Sequence, residues 1–242
     1  MTAKVGVVFV SHSSQIAAGM VQLAGQMAGS VRLVDAGGTD DDGIGTSFTK
    51  VMSAVSEADG GDGVVVISDL GSALLTAETV LDMLDEAQRS RVRVVDVPFV
   101  EGGVAAAVAA ESGGSLDEVV AAAEGAVDAW AGRSGGEPAA ASTPAAPAAE
   151  PAGAEPAGPY EREVLVRNPE GLHARPAAEF VKLANTFPVK VTVNGKDAKS
   201  LLGIMSLGLT AGSTARISSD DPDGRTAVDA LADLVDTGFG EV

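Results

Sequence analysis

Residues 5–27 read VGVVFVSHSSQIAAGMVQLAGQM. A β-branched apolar run comes first, a polar turn holding His12 follows, and apolar positions then recur at helical spacing. The run does not alternate, as expected of a strand covered by helices on both faces. A buried strand leading into a helix is the repeating unit of a parallel sheet. The pattern continues along the chain. Apolar runs at 31–34, 64–67 and 92–95 are separated by helical patterns at 15–27, 46–58 and 73–86, with more helix near 104–110 and 116–130. The order βαβαβαβ predicts an α/β domain built on a doubly wound parallel sheet. Ligand sites in such sheets collect at the carboxyl ends of the strands. His12 lies just past the first strand, and Asp69, Gly71 and Ser72 just past the third, so the two loops are expected to face one crevice.

Outward from this domain the composition changes. Residues 134–159 read SGGEPAAASTPAAPAAEPAGAEPAGP, nearly free of large apolar residues and with proline at six positions. Such a segment buries too little surface to offset its ordering entropy, and the prolines oppose a helix, so a semi-extended linker is expected. Past it the pattern predicts strands at 163–166, 189–193 and 214–218 and helices at 174–186, 200–207 and 226–237. Asn194-Gly195 marks a tight turn. This reads as a small α+β domain with its helices on one face of an antiparallel sheet. The expected division is 1–133, 134–159 and 160–242.

Of 242 residues 45% are hydrophobic and 3% aromatic, so Val, Leu, Ile, Ala and Met must build the cores. No apolar stretch reaches the ~20 residues of a membrane span. The start of the chain lacks the pattern of a signal peptide. Cysteine is absent, which excludes disulfides and thiolate metal sites and fits a cytoplasmic location. The net charge of −18 divides as −12 over 1–133, −3 over the linker and −3 over 160–242. An acidic surface repels nucleic acid and anionic lipid, and neither is expected as a partner.

The chain has only two histidines, His12 and His173, one in each domain. A neutral imidazole keeps a lone pair near pH 7 and accepts a phosphoryl group through it. At His12 the natural orienting group is Asp69, which would hold the second ring N–H and balance charge on the ring. Ser11, Ser13, Ser14, Ser72 and the backbone N–H groups near Gln15 are candidates to receive phosphate oxygens. The plainer alternative is a polar side chain closing a β–α turn. His173, in NPEGLHARPAAEFVKLA, precedes a helix whose first turn accepts Pro176, which places it at the N-cap. Free backbone N–H groups there favour an anion, and Arg175 adds a positive fork. The alternative is an ordinary capping histidine beside a surface arginine.

Other chemistry finds little support. No GxxxxGK[ST] loop occurs and no GxGxxG follows a strand. DDDG at 40–43 and DDPDG at 220–224 lack the remaining positions of a calcium loop, and two distant histidines make no conventional zinc site. No bound cofactor and no metal are expected. A Ser11, His12, Asp69 hydrolase is disfavoured, because adjacent side chains of an extended chain point apart and no G-x-S-x-G elbow occurs.

GLHARPAAEFV and KSLLGIMSLGL, in that order, resemble the histidine-containing phosphocarrier family HPr of the bacterial phosphotransferase system. The resemblance covers 160–242. It implies that His173 is phosphorylated, that Arg175 supports it and that Ser200 matches the family's regulatory serine. The segment between the motifs, TFPVKVTVNGKDA, is shorter than usual, and a trimmed hairpin is expected. VSHSSQIAAGMVQLAGQM, GGTDDDGIGTSFTKVM, SDLGSALLTAETVLDML and VPFVEGGVAAAVAAESG together resemble the mannose-type IIA family, in its DhaM branch of dihydroxyacetone kinase phosphotransfer subunits. This implies a phosphohistidine at His12 and a homodimer through the N-terminal domain. With the sequence ending at Val242, the donor enzyme I is expected to be a separate protein.

The resulting expectation is a cytoplasmic phosphoryl carrier, a phosphotransferase component. Phosphoenolpyruvate charges enzyme I, His173 takes the group, His12 receives it, and ADP on a DhaL-like kinase subunit accepts it to phosphorylate dihydroxyacetone. The alternatives are a IIA component of a mannose-type sugar transporter and a regulator that binds partners according to its phosphorylation state. GGTDDDGIGT and SDLGSALL favour the kinase branch.

Overall fold

The computed structural model describes residues 4–134 and 159–240, the side chains of 128–134 excepted. The expected linker therefore lies outside the described residues but for its ends. The first strand, β1 (Gly6–Ser11), is buried along its whole length and leads through a short turn into α1 (Ser14–Gly25). β2 (Leu33–Gly37), α2 (Phe48–Ala58), β3 (Val64–Ser68), α3 (Gly71–Met83), a single turn α4 (Glu86–Arg89) and β4 (Val92–Val95) follow, then α5 (Phe99–Glu111) and α6 (Leu116–Ser134). The four strands pair in parallel in the order β2-β1-β3-β4. The chain leaves β1 toward β2 and then crosses back to β3, so the carboxyl ends of β1 and β3 flank the switch point of the sheet.

Alternation inside the continuous apolar runs decides the layering. Val5, Val7, Phe9, Val65 and Ile67 point to the side of α1 and α5, packing with Met20, Ala24, Val104 and Ala107. Val8, Val10, Val64 and Val66 point to the other side, against Val51, Val55, Ala77 and Val80 of α2 and α3. Each of these valines contributes on the order of 1.5–3 kcal/mol by leaving water.

Several boundaries move from their expected places. β2 was expected at 31–34 but runs Leu33–Gly37, because Asp35, Ala36 and Gly37 continue the ladder with Phe9, Val10 and Ser11 although they are polar or small. The helix expected at 73–86 ends at Met83. Leu84 is extended and Asp85 starts α4, its carboxylate accepting the Gln88 N–H at 2.8 Å. α5 begins five residues before the expected 104. Gly102 and Gly103 obscure the helical pattern there, yet they let the helix lie close to the sheet: a Cβ on Gly103 would come 2.6 Å from the Phe9 ring.

The second unit contains β5 (Tyr160–Leu165), α7 (Ala174–Asn185), β6 (Thr192–Val193), β7 (Lys196–Asp197), α8 (Leu201–Ser206), β8 (Thr214–Ser219) and α9 (Arg225–Asp236), closed by a short turn at Gly238–Gly240. Its sheet is antiparallel in the order β5-β8-β6-β7. The strand expected at 189–193 is only partly in the ladder. Val189 and Val191 are buried, but the Lys190 carbonyl accepts from the Ser219 hydroxyl and the Val191 carbonyl from the Ala198 N–H. Asn194 and Gly195 both have positive φ, as the expected two-residue turn requires.

At the amino edge of the parallel sheet Glu111 closes a polar cluster. Its Oε2 accepts from the Ser30 N–H at 3.1 Å and the Ser30 hydroxyl at 2.8 Å, and it pairs with Lys4 Nζ at 3.2 Å. Burial by itself would raise the Glu111 carboxyl, but the hydrogen bonds from Ser30, Lys4 and Lys182 outweigh it and lower it to about 2. A lowered carboxylate stabilises the fold above its unfolded pKa, and that stability is lost as pH falls through the folded value. The contribution, at most about 3 kcal/mol, is therefore whole above pH ~4.5 and disappears toward about 2. Urea unfolding of the Glu111→Gln chain should show lower stability at pH 7 and a flatter acid dependence between those limits than the unsubstituted chain.

Candidate functional site

The first centre forms where β1 and β3 end. Asp69, one residue past β3, donates its backbone N–H to the Val10 carbonyl at 3.1 Å, which fixes it beside the end of β1. Its carboxylate gathers three donors from that strand end. Oδ2 accepts the Ser11 hydroxyl at 2.7 Å and the His12 backbone N–H at 3.0 Å, and Oδ1 lies 2.9 Å from His12 Nδ1. The other ring nitrogen, Nε2, lies 2.7 Å from the Ser72 hydroxyl. Burial alone would raise the Asp69 carboxyl, but the hydrogen bonds from His12 and Ser11 hold it below the ordinary carboxylate range.

An ionised Asp69 accepts only, so it selects the His12 tautomer with hydrogen on Nδ1 and the lone pair on Nε2. The Ser72 hydroxyl then donates to Nε2. The nucleophilic nitrogen thus faces the first turn of α3, where Gly71 and Ser72 sit and backbone N–H groups are open to an anion. The side chain of His12 is one-fifth exposed, enough for a group to reach it from the mouth of the crevice.

The loop after β2 completes the wall. Gly38 N–H donates to the Ser11 carbonyl at 3.0 Å and Gly45 N–H to the His12 carbonyl at 2.9 Å. Gly37 has to be glycine, because a Cβ there would lie 2.5 Å from the Ser13 carbonyl oxygen. Ser47 caps α2 by accepting the Lys50 N–H at 3.1 Å and bonds Asp40, while Lys50 Nζ reaches the Gly37 carbonyl at 3.2 Å and Asp42 at 2.8 Å. These contacts assign Asp40 and Asp42 of the DDDG stretch to holding the loop.

His12, Asp69, Gly71 and Ser72 therefore come together as expected. Ser11 departs from expectation. It is fully buried, gives its hydroxyl hydrogen to Asp69 and accepts the Ser13 N–H at 3.1 Å, so it braces the loop instead of facing an incoming anion. Gly45 and its bond to the His12 carbonyl were not foreseen. The contact is between backbone groups, and only the glycine's positive φ of 144° leaves a sequence trace.

The second centre is the start of α7. His173 is the N-cap residue with extended backbone. Its carbonyl accepts the Ala177 N–H at 3.0 Å, and its side chain makes no capping bond. The histidine arrives there through Gly171, whose φ of 72° and close approach to the Leu209 carbonyl exclude a side chain. Leu172 N–H donates to that carbonyl at 2.8 Å. Arg175 is two-thirds exposed, with Nε 3.8 Å from Glu179. Ser200 is the N-cap of α8 and accepts the Gly203 N–H at 3.1 Å.

Family models match both units: the mannose-type IIA model, described as the fructose IIA component of the phosphotransferase system, at residues 6–120, and the HPr component phosphorylation site at 160–237. The phosphoryl donor subunit DhaM of the PEP-dependent dihydroxyacetone kinase of Escherichia coli is 34% identical over 250 residues, 98% of this chain and 51% of that protein. The phosphotransferase subunit DhaM of the PTS-dependent dihydroxyacetone kinase of Lactococcus lactis is 34% identical over 114 residues, 47% of this chain and 89% of its own length. The phosphocarrier protein HPr of Vibrio cholerae is 44% identical over 81 residues, 32% of this chain and 95% of that protein. The chain spans about half the length of the relatives it matches from end to end.

If Asp69 sets the tautomer and position of His12, Asp69→Asn should slow phosphorylation of His12 on the order of 10²-fold. It should also cost about 1–3 kcal/mol of stability, because an amide cannot satisfy three donors. Quench-flow transfer assays beside denaturant unfolding separate the two effects. A loss of stability with normal transfer by the folded fraction would make Asp69 purely structural.

Proposed function

Because the chain belongs to the DhaM family of phosphoryl donor subunits, we propose that it relays phosphoryl groups from His173 to His12. The observation that carries this reading is the pairing of His12 with Asp69 on one ring nitrogen and Ser72 on the other. That pairing prepares a lone pair at Nε2 and leaves the anion-favouring start of α3 beside it. In the transfer step the Nε2 lone pair attacks phosphorus in line. The P–N bond to His173 breaks as the new one forms, and the bonding pair returns to the His173 ring. Asp69 balances the positive charge that develops on His12, and Ser72 and the α3 amides receive phosphate oxygens.

Family membership supports a wider cycle. Phosphoenolpyruvate charges enzyme I, enzyme I charges His173 with Arg175 beside it, and phospho-His12 delivers the group to ADP on a DhaL-like kinase subunit. ATP formed there phosphorylates dihydroxyacetone. A carrier of this kind holds phosphate covalently and needs no nucleotide pocket or bound cofactor of its own. In this reading residues 1–133 are the IIA domain, 134–159 the linker and 160–242 the HPr domain. The chain acts in the cytoplasm, dimerises through the IIA domain, and presents Ser200 as its regulatory serine.

Incubation with phosphoenolpyruvate and enzyme I, followed by peptide mapping that preserves phosphohistidine, tests the order of transfer. His173→Ala should leave both domains uncharged, and His12→Ala should leave His173 charged with no onward delivery. Normal charging of His12 in the His173→Ala chain, with no other HPr present, would overturn the relay.

A further inference from the structure

The two units touch, and they touch away from His12. Leu202 of α8 is buried against Ala105 of α5 and Ala126 of α6. Lys182 of α7 reaches across to Glu111 at the end of α5, Nζ to Oε1 3.2 Å. Lys199 adds an attractive charge toward Glu118 in the first turn of α6. A cleft of about 550 Å³ lies along this boundary, between the small residues of α5 and α6 and the start of α8.

The position of the contact on the N-terminal domain matters. Glu111 and Lys4 mark the amino edge of the parallel sheet, whereas His12 marks its carboxyl edge. Arg175, two residues from His173, lines a recess with Gln26 and Met27, just past the end of α1. His12 immediately precedes the N-cap of that helix. A twelve-residue helix is about 18 Å long at 1.5 Å per residue. The two histidines therefore lie toward opposite ends of α1. Phosphoryl transfer needs reacting atoms within about 3–3.5 Å of each other.

We propose that the α5/α6 face of the N-terminal domain is a holding site for the chain's own C-terminal domain, engaged through α7 and α8, and that this contact must open before His173 can serve His12. The fit is one of shape and charge. An apolar side chain enters a patch of alanines, and Lys182 pairs with Glu111 across the boundary. The helices that grip the holding site begin at His173, which any transfer complex has to present, and at Ser200, which lines the cleft. One face cannot serve both purposes at once. The contact itself stands independently of the relay, whereas its effect on transfer rests on that reading.

Zero-length carbodiimide coupling of the dilute full-length chain, followed by peptide mass spectrometry, tests the contact. A Lys182–Glu111 amide should form within single chains, as judged from a mixture of light and heavy isotope-labelled protein. Ala126→Glu on one side and Leu202→Glu on the other should each lower its yield at least tenfold, with melting curves confirming that both domains stay folded. Absence of the amide in the unsubstituted chain, or its formation only between chains, would overturn the holding site. Single-turnover transfer from His173 to His12 should be several-fold faster in Ala126→Glu. An unchanged or slower rate, with the amide lost, would refute the opening requirement. If no chain charges His12 at all, the relay fails while the cross-linking result still decides the contact.

Discussion

One carboxylate holds the N-terminal site together. Asp69 leaves the end of β3 and takes three hydrogen bonds from two consecutive residues at the end of β1, while its own backbone N–H returns one to Val10. Parallel neighbours end on the same edge of a sheet, but nothing in the ladder fixes the loops beyond it. The Asp69 bonds continue the pairing of β1 with β3 past its last rung and convert it into a fixed position for a side chain. The ring orientation of His12, its tautomer and the direction of Nε2 toward Ser72 all depend on that extension. Cooperation among these bonds is what keeps the carboxylate ionised despite its partial burial.

The two centres solve the problem of an exposed imidazole differently. His12 is held from behind by a charged partner, with the incoming group's side left to Ser72 and the start of α3. His173 is held by the backbone. Gly171 brings the chain tightly against Leu209, and the first helical bond of α7 closes on the His173 carbonyl. The first arrangement sets the chemistry of the ring through a carboxylate, and the second fixes the backbone that carries the ring, with an exposed arginine two residues on.

Local pattern was enough to read the elements wherever apolar residues dominated. The runs at 64–67 and 92–95 emerge as β3 and β4, and the amphipathic stretches of the second unit as α7 and α9. It misled where small or polar residues occupy regular structure. Asp35 to Gly37 belong to β2 because β1 pairs with them, and Gly102 and Gly103 belong to α5 because only glycine lets that helix lie against Val97 and Phe9. In both places a long-range neighbour overrides intrinsic preference. At the site, Asp69 and Ser72 were legible from their distance past a strand end. The part played by Ser11 was not, because a serine beside a histidine reads equally well as an anion ligand and as a brace.

What the sequence by itself determined is therefore the sum of local and covalent facts. These are two histidines in two contexts, an intervening stretch poor in apolar residues and rich in proline, and a strand–helix alternation in the first unit that admits only a parallel sheet. The tertiary structure decided everything that depends on residues meeting across the chain. It brought Asp69 to His12 over fifty-seven positions, spent the Ser11 hydroxyl on that carboxylate, and set the second unit against α5 and α6 through Lys182 and Leu202. The physical reason is the range of the forces. Backbone preference and hydrophobic period act within a few residues and are written in order along the sequence. Hydrogen bonds and side-chain packing act over a few ångströms of space, and only the folded chain says which residues share that space.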